Sequence, residues 1–258
     1  MKKIFPKIVI GLVFLFLYLP IIVLVVFSFN NTKLNIVFEG FTLDWYKQLL
    51  SNTALLDALK NTLIVAITST LISTIIGTIS AFGLHKFNFK GKKLINDILY
   101  IPIVIPEIVL GISLLSIYTL MNFSLGLVTI IIAHVTFSIP YVIVSVRSSL
   151  QGMNPKLEEV SSDLGANKLQ TFFKVTIPSI APGIFSGALL AFTLSMDDVV
   201  ISYFTSGPES NTLPLYIYSM IKSGITPDVN AMFSIIIFIT LLALTIYSVI
   251  IFKKRVRR

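Results

Sequence analysis

From Ile108 to Val146 the chain reads IVLGISLLSIYTLMNFSLGLVTIIIAHVTFSIPYVIVSV, with no Asp, Glu, Lys or Arg. A helix that crosses a bilayer needs about 20 mostly apolar residues, so this run is too long for one span. Met121-Asn122-Phe123-Ser124-Leu125-Gly126 is the natural turn within it. The turn divides the region into spans near 98–120 and 127–146, the first containing Pro102, Pro106 and Glu107. Working outward, further uncharged stretches place spans at about 8–29, 61–84, 179–204 and 229–252. The expected fold is an all-α integral membrane protein with six transmembrane helices in a single domain over 1–258. No period of 20–50 residues and no low-complexity tract interrupts it.

Composition agrees. Of 258 residues, 55% are hydrophobic and only 12% charged, against about 25% charged in an average soluble protein. This excludes a soluble globular domain, a disordered chain and a secreted disulfide scaffold. Without Cys there is no disulfide, thiolate chemistry or Cys-bound metal. The two His, His85 and His134, are far apart, so no metal site is expected. A net charge of +8 would suggest nucleic acid in a soluble protein. Here its distribution matters more. With the N-terminus in the cytoplasm, 16 cations fall inside and only four, Lys33, Lys47, Lys60 and Lys222, outside. The positive-inside rule therefore puts both termini in the cytoplasm, and the charge is a topology signal with no nucleic-acid partner implied. Residues 1–19 have the basic start and apolar run of a signal peptide. The run continues to Phe29 without a small-residue cleavage site, so an uncleaved first span is expected.

The segments between spans differ in kind. Residues 30–60 and 205–228, outside, carry helical patterning. Leu43, Trp45, Tyr46, Leu49 and Leu50 make one apolar face, and Leu215, Tyr218, Met220 and Ile221 suggest another. Residues 147–178 form a long cytoplasmic loop. Within it Asn154 and Pro155 suit a helix start, and Glu158 and Glu159 suit the first turns. Leu157, Val160 and Leu164 form an apolar stripe, and Gly165 ends the helix in the left-handed conformation. A second short helix carries Leu169, Phe172 and Phe173, and Pro178 opens the next span. By pattern alone this helix–Gly–helix element is either a hairpin on the membrane surface or a docking element for a cytoplasmic partner.

The loop resembles the EAA loop of ABC importer permeases: Glu-Ala-Ala, three residues, Gly, nine residues, then Ile-x-Leu-Pro. Here Glu159-Val160-Ser161, Gly165 and Val175-Thr176-Ile177-Pro178 keep that spacing, with substitutions at both Ala and both aliphatic positions. Further segments are similar to the spermidine/putrescine type of this family. They are Phe41-Thr42-Leu43-Asp44-Trp45-Tyr46, Pro106-Glu107-Ile108-Val109, Phe192 through Val200 around Ser195-Met196-Asp197-Asp198, and Leu213 through Met220. The resemblance covers nearly the whole chain. It implies a type I ABC importer in the bacterial cytoplasmic membrane, with a second homologous permease, two ATPase subunits and an extracytoplasmic polyamine-binding protein. It also implies that Glu159, Leu164, Gly165, Leu169, Phe172 and Pro178 belong to a coupling helix seated on the ATPase. The chain itself lacks a Gly-x-x-x-x-Gly-Lys-Ser/Thr sequence. ATP and Mg are thus expected on a partner chain, with no cofactor and no catalytic residue here.

Glu107, Asp197 and Asp198 lie within or beside spans, where each acid costs about 2.5–3.5 kcal/mol. No Lys or Arg lies at comparable depth. They face a wet cavity, pair with a partner's cations, or line a path for a cation. With the family resemblance the last is favoured; Tyr203, Phe204, Tyr216 and Tyr218 near the outer ends are cation–π candidates, although as plain span-edge aromatics they need no such role. Asp197 and Asp198 fall about 25–27 Å along their helix from Ile180, and Glu107 nearer mid-depth, two levels that suit an extended polycation. Other cationic solutes such as thiamine or ferric ion fit the same acids, whereas an oxyanion does not. Outside the family, a secondary transporter lacks an inverted repeat here. An intramembrane hydrolase would need Ser113 beside His134, or a facing dyad from Asp197 and Asp198. Adjacent helical residues point about 100° apart and make no such dyad.

Overall fold

A computed structural model describes residues 4–32, 37–221, 224 and 226–256. Lys2, Lys3, Lys33, Lys222, Arg257 and Arg258 of the charge count lie outside the described residues. The described chain is all-helical: α1 (Ile4–Phe27), α2 (Asp44–Ser51), α3 (Thr53–Lys86), α4 (Lys92–Val104), α5 (Glu107–Leu120), α6 (Leu127–Gly152), α7 (Lys156–Asp163), α8 (Lys168–Thr171), α9 (Ile177–Asp197), α10 (Val200–Thr205), α11 (Leu213–Met220) and α12 (Pro227–Val256). A π-helical turn, Phe172–Thr176, joins α8 to α9. Five helices are long and apolar enough to cross a membrane, and the bent pair α4–α5 makes a sixth if it counts as one span.

The chain divides into two compact units, 1–56 with 219–258, and 57–218. In the first, α12 packs on α1 and α2. Asn30, wholly buried, organises the loop after α1: its Nδ2 donates to Thr32 Oγ1 (2.9 Å) and the Val37 carbonyl (2.7 Å), and its Oδ1 accepts from Glu39 N–H (2.9 Å). The Trp45 indole donates to the Asn30 carbonyl, and Phe29 stacks on Phe41. Trp45 and Leu49 of the expected apolar face are buried, while Leu50 is exposed.

In the second unit α6 and α9 form the central pair. They approach closely because Gly183 and Gly187 face α6: a Cβ on Gly183 would lie 3.0 Å from the Ser145 carbonyl, and one on Gly187 3.1 Å from Val142 Cα. Small residues at such a crossing let two backbones pack without side-chain obstruction. Ser145 Oγ adds a hydrogen bond to the Gly183 carbonyl (3.1 Å).

Two breaks shape this unit. The span expected over 98–120 bends by 110° between α4 and α5. A residue before proline is pushed to extended backbone, and Ile105 (φ −69°, ψ 136°) precedes Pro106. Pro102 and Pro106 also offer no N–H to the carbonyls four residues before them. The second break interrupts the span expected over 179–204. Helix α9 stops at Asp197, Asp198 is extended (φ −65°, ψ 126°), and α10 starts anew. Helix α10 lies on α5, where Gly111 leaves room for the Phe204 ring.

Candidate functional site: an acidic cleft and an exposed loop

Both breaks open onto one cleft of about 320 Å³. Its lining includes Pro102 and Glu107 from the first break, Asp197 through Ile201 from the second, and Phe137 and Tyr141 from α6. Its volume is at the lower end of the range for small-molecule sites. All three acids singled out in the sequence therefore meet in one place, and no Lys or Arg is among the described lining residues. Glu107 begins α5, where the positive end of the helix dipole favours a carboxylate.

The two adjacent aspartates behave differently. Asp197 is exposed to the cleft. Asp198 is buried, and its oxygens are taken: Oδ1 accepts from Ile201 N–H (3.1 Å) and Oδ2 from Ser202 N–H (2.7 Å). The carboxylate thereby satisfies orphan donors at the start of α10. Oδ2 also lies 3.3 Å from His134 Nε2. His134 is fully buried, with Nδ1 2.7 Å from Ser195 Oγ and Nε2 3.1 Å from Ser202 Oγ. In the sequence no Lys or Arg lies at the depth of these acids, and the partner of Asp198 is this histidine. The available signal was an ionisable residue in an apolar span.

Tyr203 is exposed, packs edge-on against Phe204 and is not among the cleft residues. The aromatics that line the cleft are Phe137 and Tyr141, neither singled out from the sequence. Ser113 donates to the Val109 carbonyl (2.7 Å), while the partners of His134 are Ser195, Ser202 and Asp198. The Ser113–His134 dyad is therefore absent, and with Asp197 exposed and Asp198 buried there is no facing aspartate dyad.

The loop before α9 is built to stand out. Asn154 Oδ1 accepts from Lys156 N–H (3.1 Å) at the start of α7. Gly165 is left-handed at φ 86°. The Ala166 N–H bonds the Ser161 carbonyl and the Gly165 N–H the Ser162 carbonyl, a Schellman-type ending. Asn167 and Gln170 then cap α8 reciprocally. Leu164, Leu169 and Phe173 are 84%, 70% and 64% exposed, and Leu157, Val160, Glu159 and Pro178 are exposed as well. Phe172 turns inward against Phe82, with ring centroids 4.7 Å apart.

The acid that anchors the loop is Glu158. It accepts from Lys86 Nζ on α3 (2.6 Å) and from Thr176 Oγ1 (2.8 Å). Partial burial pushes its pKa up, and the hydrogen bonds and charge of Lys86, with Thr176, outweigh this and hold it below the ordinary carboxylate value.

Known proteins resemble this chain in sequence and in fold. Residues 73–258 match the family model described as binding-protein-dependent transport system inner membrane component. The spermidine/putrescine transport system permease protein PotC of Escherichia coli is 40% identical over 229 residues, 89% of this chain and 87% of that one. PotC of Haemophilus influenzae is 39% identical over 242 residues, 94% of each chain. The putrescine transport system permease protein PotI of Escherichia coli is 39% identical over 231 residues, 87% of this chain and 82% of that one. Among solved structures, a chain of a bacterial ABC transporter involved in the import of the acidic polysaccharide alginate superposes with a TM-score of 0.74. It is 16% identical, with 96% of this chain and 95% of that chain covered, and the likeness is one of fold.

Proposed function

Because this multi-pass membrane chain belongs to the binding-protein-dependent transport system inner membrane components, we propose that it is the permease subunit of an ATP-driven importer carrying polyamines, spermidine or putrescine, into the cytoplasm. The observation that carries the substrate class is the cleft shared by Glu107 and Asp197, free of Lys and Arg among its described lining. An ammonium group that leaves water needs a carboxylate or several carbonyls in exchange. Glu107 at the head of α5 and Asp197 at the end of α9 supply two such charges from different helices. Phe137 and Tyr141 supply apolar and aromatic surface for the methylene chain between ammonium groups. The 40% identity with a spermidine/putrescine permease supports the same substrate class.

In this reading the chain hydrolyses no ATP and binds no cofactor. ATP and Mg belong to two ATPase subunits, which act with a second homologous permease and an extracytoplasmic binding protein. The exposed apolar side chains of Leu157, Val160, Leu164 and Leu169 are the surface that meets an ATPase, with Gly165 setting the turn between the two helices. Both termini are cytoplasmic, in line with the cation distribution.

Uptake of labelled spermidine tests this in cells from which the chain has been deleted. Restoring the chain together with its partner subunits is expected to restore uptake, with unlabelled putrescine competing and thiamine not. Uptake that does not depend on the chain, or competition by thiamine alone, would overturn the polyamine reading.

A further inference from the structure

His134 sits two turns into α6 with both ring nitrogens engaged, although it is wholly buried in an apolar helix. Leaving either nitrogen unpaired there is costly. Its partners lie on either side of the break between α9 and α10: Ser195 on α9, and Asp198 with Ser202 at the start of α10. Ser195 Oγ in turn lies 3.2 Å from Ser69 Oγ on α3. The neutral tautomer with its proton on Nε2 donates to Ser202 Oγ (3.1 Å), with Asp198 Oδ2 alongside at 3.3 Å, while Nδ1 accepts from Ser195 Oγ and Ser195 accepts from Ser69. This assignment leaves neither ring nitrogen unpaired.

We propose that His134 is a positioning residue for the cleft: by holding Asp198 as the cap of α10, it keeps the neighbouring Asp197 directed at the substrate. This rests on the polyamine reading of the cleft. Asp198 presents little to a ligand, because its oxygens bond Ile201 N–H, Ser202 N–H and the imidazole. Asp197 is the last residue of α9, one peptide away, and its direction follows from where Asp198 is anchored. A ligating group held in place before binding spends less ordering entropy on each encounter. Helix α9 packs on α6 and α10 on α5 and α6, and a side chain bonded on both sides of the extended residue adds a polar constraint at the break itself.

The absence of native Cys makes a single introduced thiol unique within this chain, so labelling is read on this chain's band after the subunits are separated by denaturing gel electrophoresis. Ile201 is 1% exposed and its N–H is held by Asp198, so Ile201→Cys reports on whether α10 stays seated. In the assembled transporter in membranes, a water-soluble maleimide is expected to label this thiol slowly. His134→Leu is expected to speed labelling by about tenfold or more, and His134→Gln, which can still donate to Asp198, to restore protection to within about threefold. In the native chain without the reporter, His134→Leu is expected to raise the KM for spermidine about tenfold with little change in maximal rate. Adding Asp198→Asn to it should raise KM no further, whereas adding Asp197→Asn should. If His134→Leu does not insert, His134→Asn, too short to reach Asp198, carries the same readouts. Equal labelling in all backgrounds, or additive effects of the changes at 134 and 198, would overturn the proposal. If the native chain does not transport spermidine, the polyamine reading fails, and the labelling rates alone decide whether His134 seats α10.

Discussion

His134 Nε2 lies 3.3 Å from Asp198 Oδ2, with the two side chains only 0% and 4% exposed. They are far apart in sequence, one two turns into α6 and the other in the gap between α9 and α10. The pair divides labour between two adjacent acids of the same chemistry. Asp198 is buried and bonded to the start of α10, whereas Asp197 is exposed to the cleft.

That division predicts opposite consequences for the same substitution. Asp198→Asn leaves one oxygen where two accepted hydrogen bonds, and turns an amide N–H₂ toward groups that donate. The expected loss is about 1.5–3 kcal/mol of stability, since hydrogen bonds to a charged acceptor are being lost. Asp197→Asn, at an exposed position, is expected to change stability by less than about 0.5 kcal/mol while weakening spermidine uptake. Thermal unfolding of the purified transporter in detergent, set beside uptake kinetics, separates the two. Equal unfolding midpoints for the two variants would refute it.

Packing of α6 on α9 gives a second expectation. Gly183 faces Ser145 and Ser149 so closely that any side chain must displace a backbone carbonyl or the Ser149 side chain. Overpacking of a well-filled contact costs about 1–3 kcal/mol, and backbone lies on one side here. Gly183→Val is therefore expected to lower the amount of folded protein in membranes sharply. Gly83→Val, where a Cβ meets nothing within 4 Å, should leave it nearly unchanged. Fluorescence-detected gel filtration of tagged variants reads the difference.

Much of this arrangement can be read from the chain and some cannot. Pro106 points to the α4–α5 break because it biases Ile105 toward extended backbone, although Pro20, Pro102, Pro140 and Pro182 lie inside helices and packing decides which proline breaks one. Gly165 announces the end of α7 for a similarly local reason, and the turn at 121–126 separates α5 from α6 as its residues suggest. The break after Asp197 has no proline or glycine to mark it. It depends on a cap supplied by Asp198 and held by His134, a contact between residues distant in sequence. Tyr203 and Tyr141 show the same limit: both are aromatic residues within an expected span, and only tertiary packing decides that Tyr141 lines the cleft.

Glu158 gives a pH dependence. Its carboxyl titrates below the ordinary value of 4.5 in the folded loop, so the unfolded loop binds the proton more tightly. The stabilisation it supplies is full above that ordinary value and is lost as pH falls through the lower, folded pKa. Lys86 is 43% exposed, so the pair is worth less than about 1 kcal/mol. Amide exchange over 154–176, corrected for intrinsic rates, is expected to show constant protection from pH 7 to about 5 and weaker protection below pH 4.5. Glu158→Gln should show the weaker protection at every pH. A variant with native protection at pH 7 would mean that the bond to Lys86 does not hold the loop.

The last expectation concerns Gly165. Its φ of 86° is in the region that side-chain-bearing residues rarely adopt, and leaving that region would break the bonds that end α7. For most residues the left-handed conformation costs about 1–2 kcal/mol, with Asp among the more tolerant. Yet nothing in the chain lies within 4 Å of where a Cβ would stand. Gly165→Asp should therefore insert, fold and retain the Lys86–Glu158 tie, losing no more than that local cost. Its harm is expected elsewhere. The residue follows Leu164, the most exposed apolar side chain of the loop, and a carboxylate there brings charge into a surface that must be desolvated when a partner docks. Gly165→Asp should thus lose spermidine-stimulated ATP hydrolysis and co-purification with the ATPase at normal membrane abundance. Gly165→Ala, which carries the backbone cost without the charge, should retain part of both. If Asp and Ala impair coupling equally, the backbone conformation alone is at fault. If neither does, the exposed turn of this loop is not the surface on which the ATPase sits.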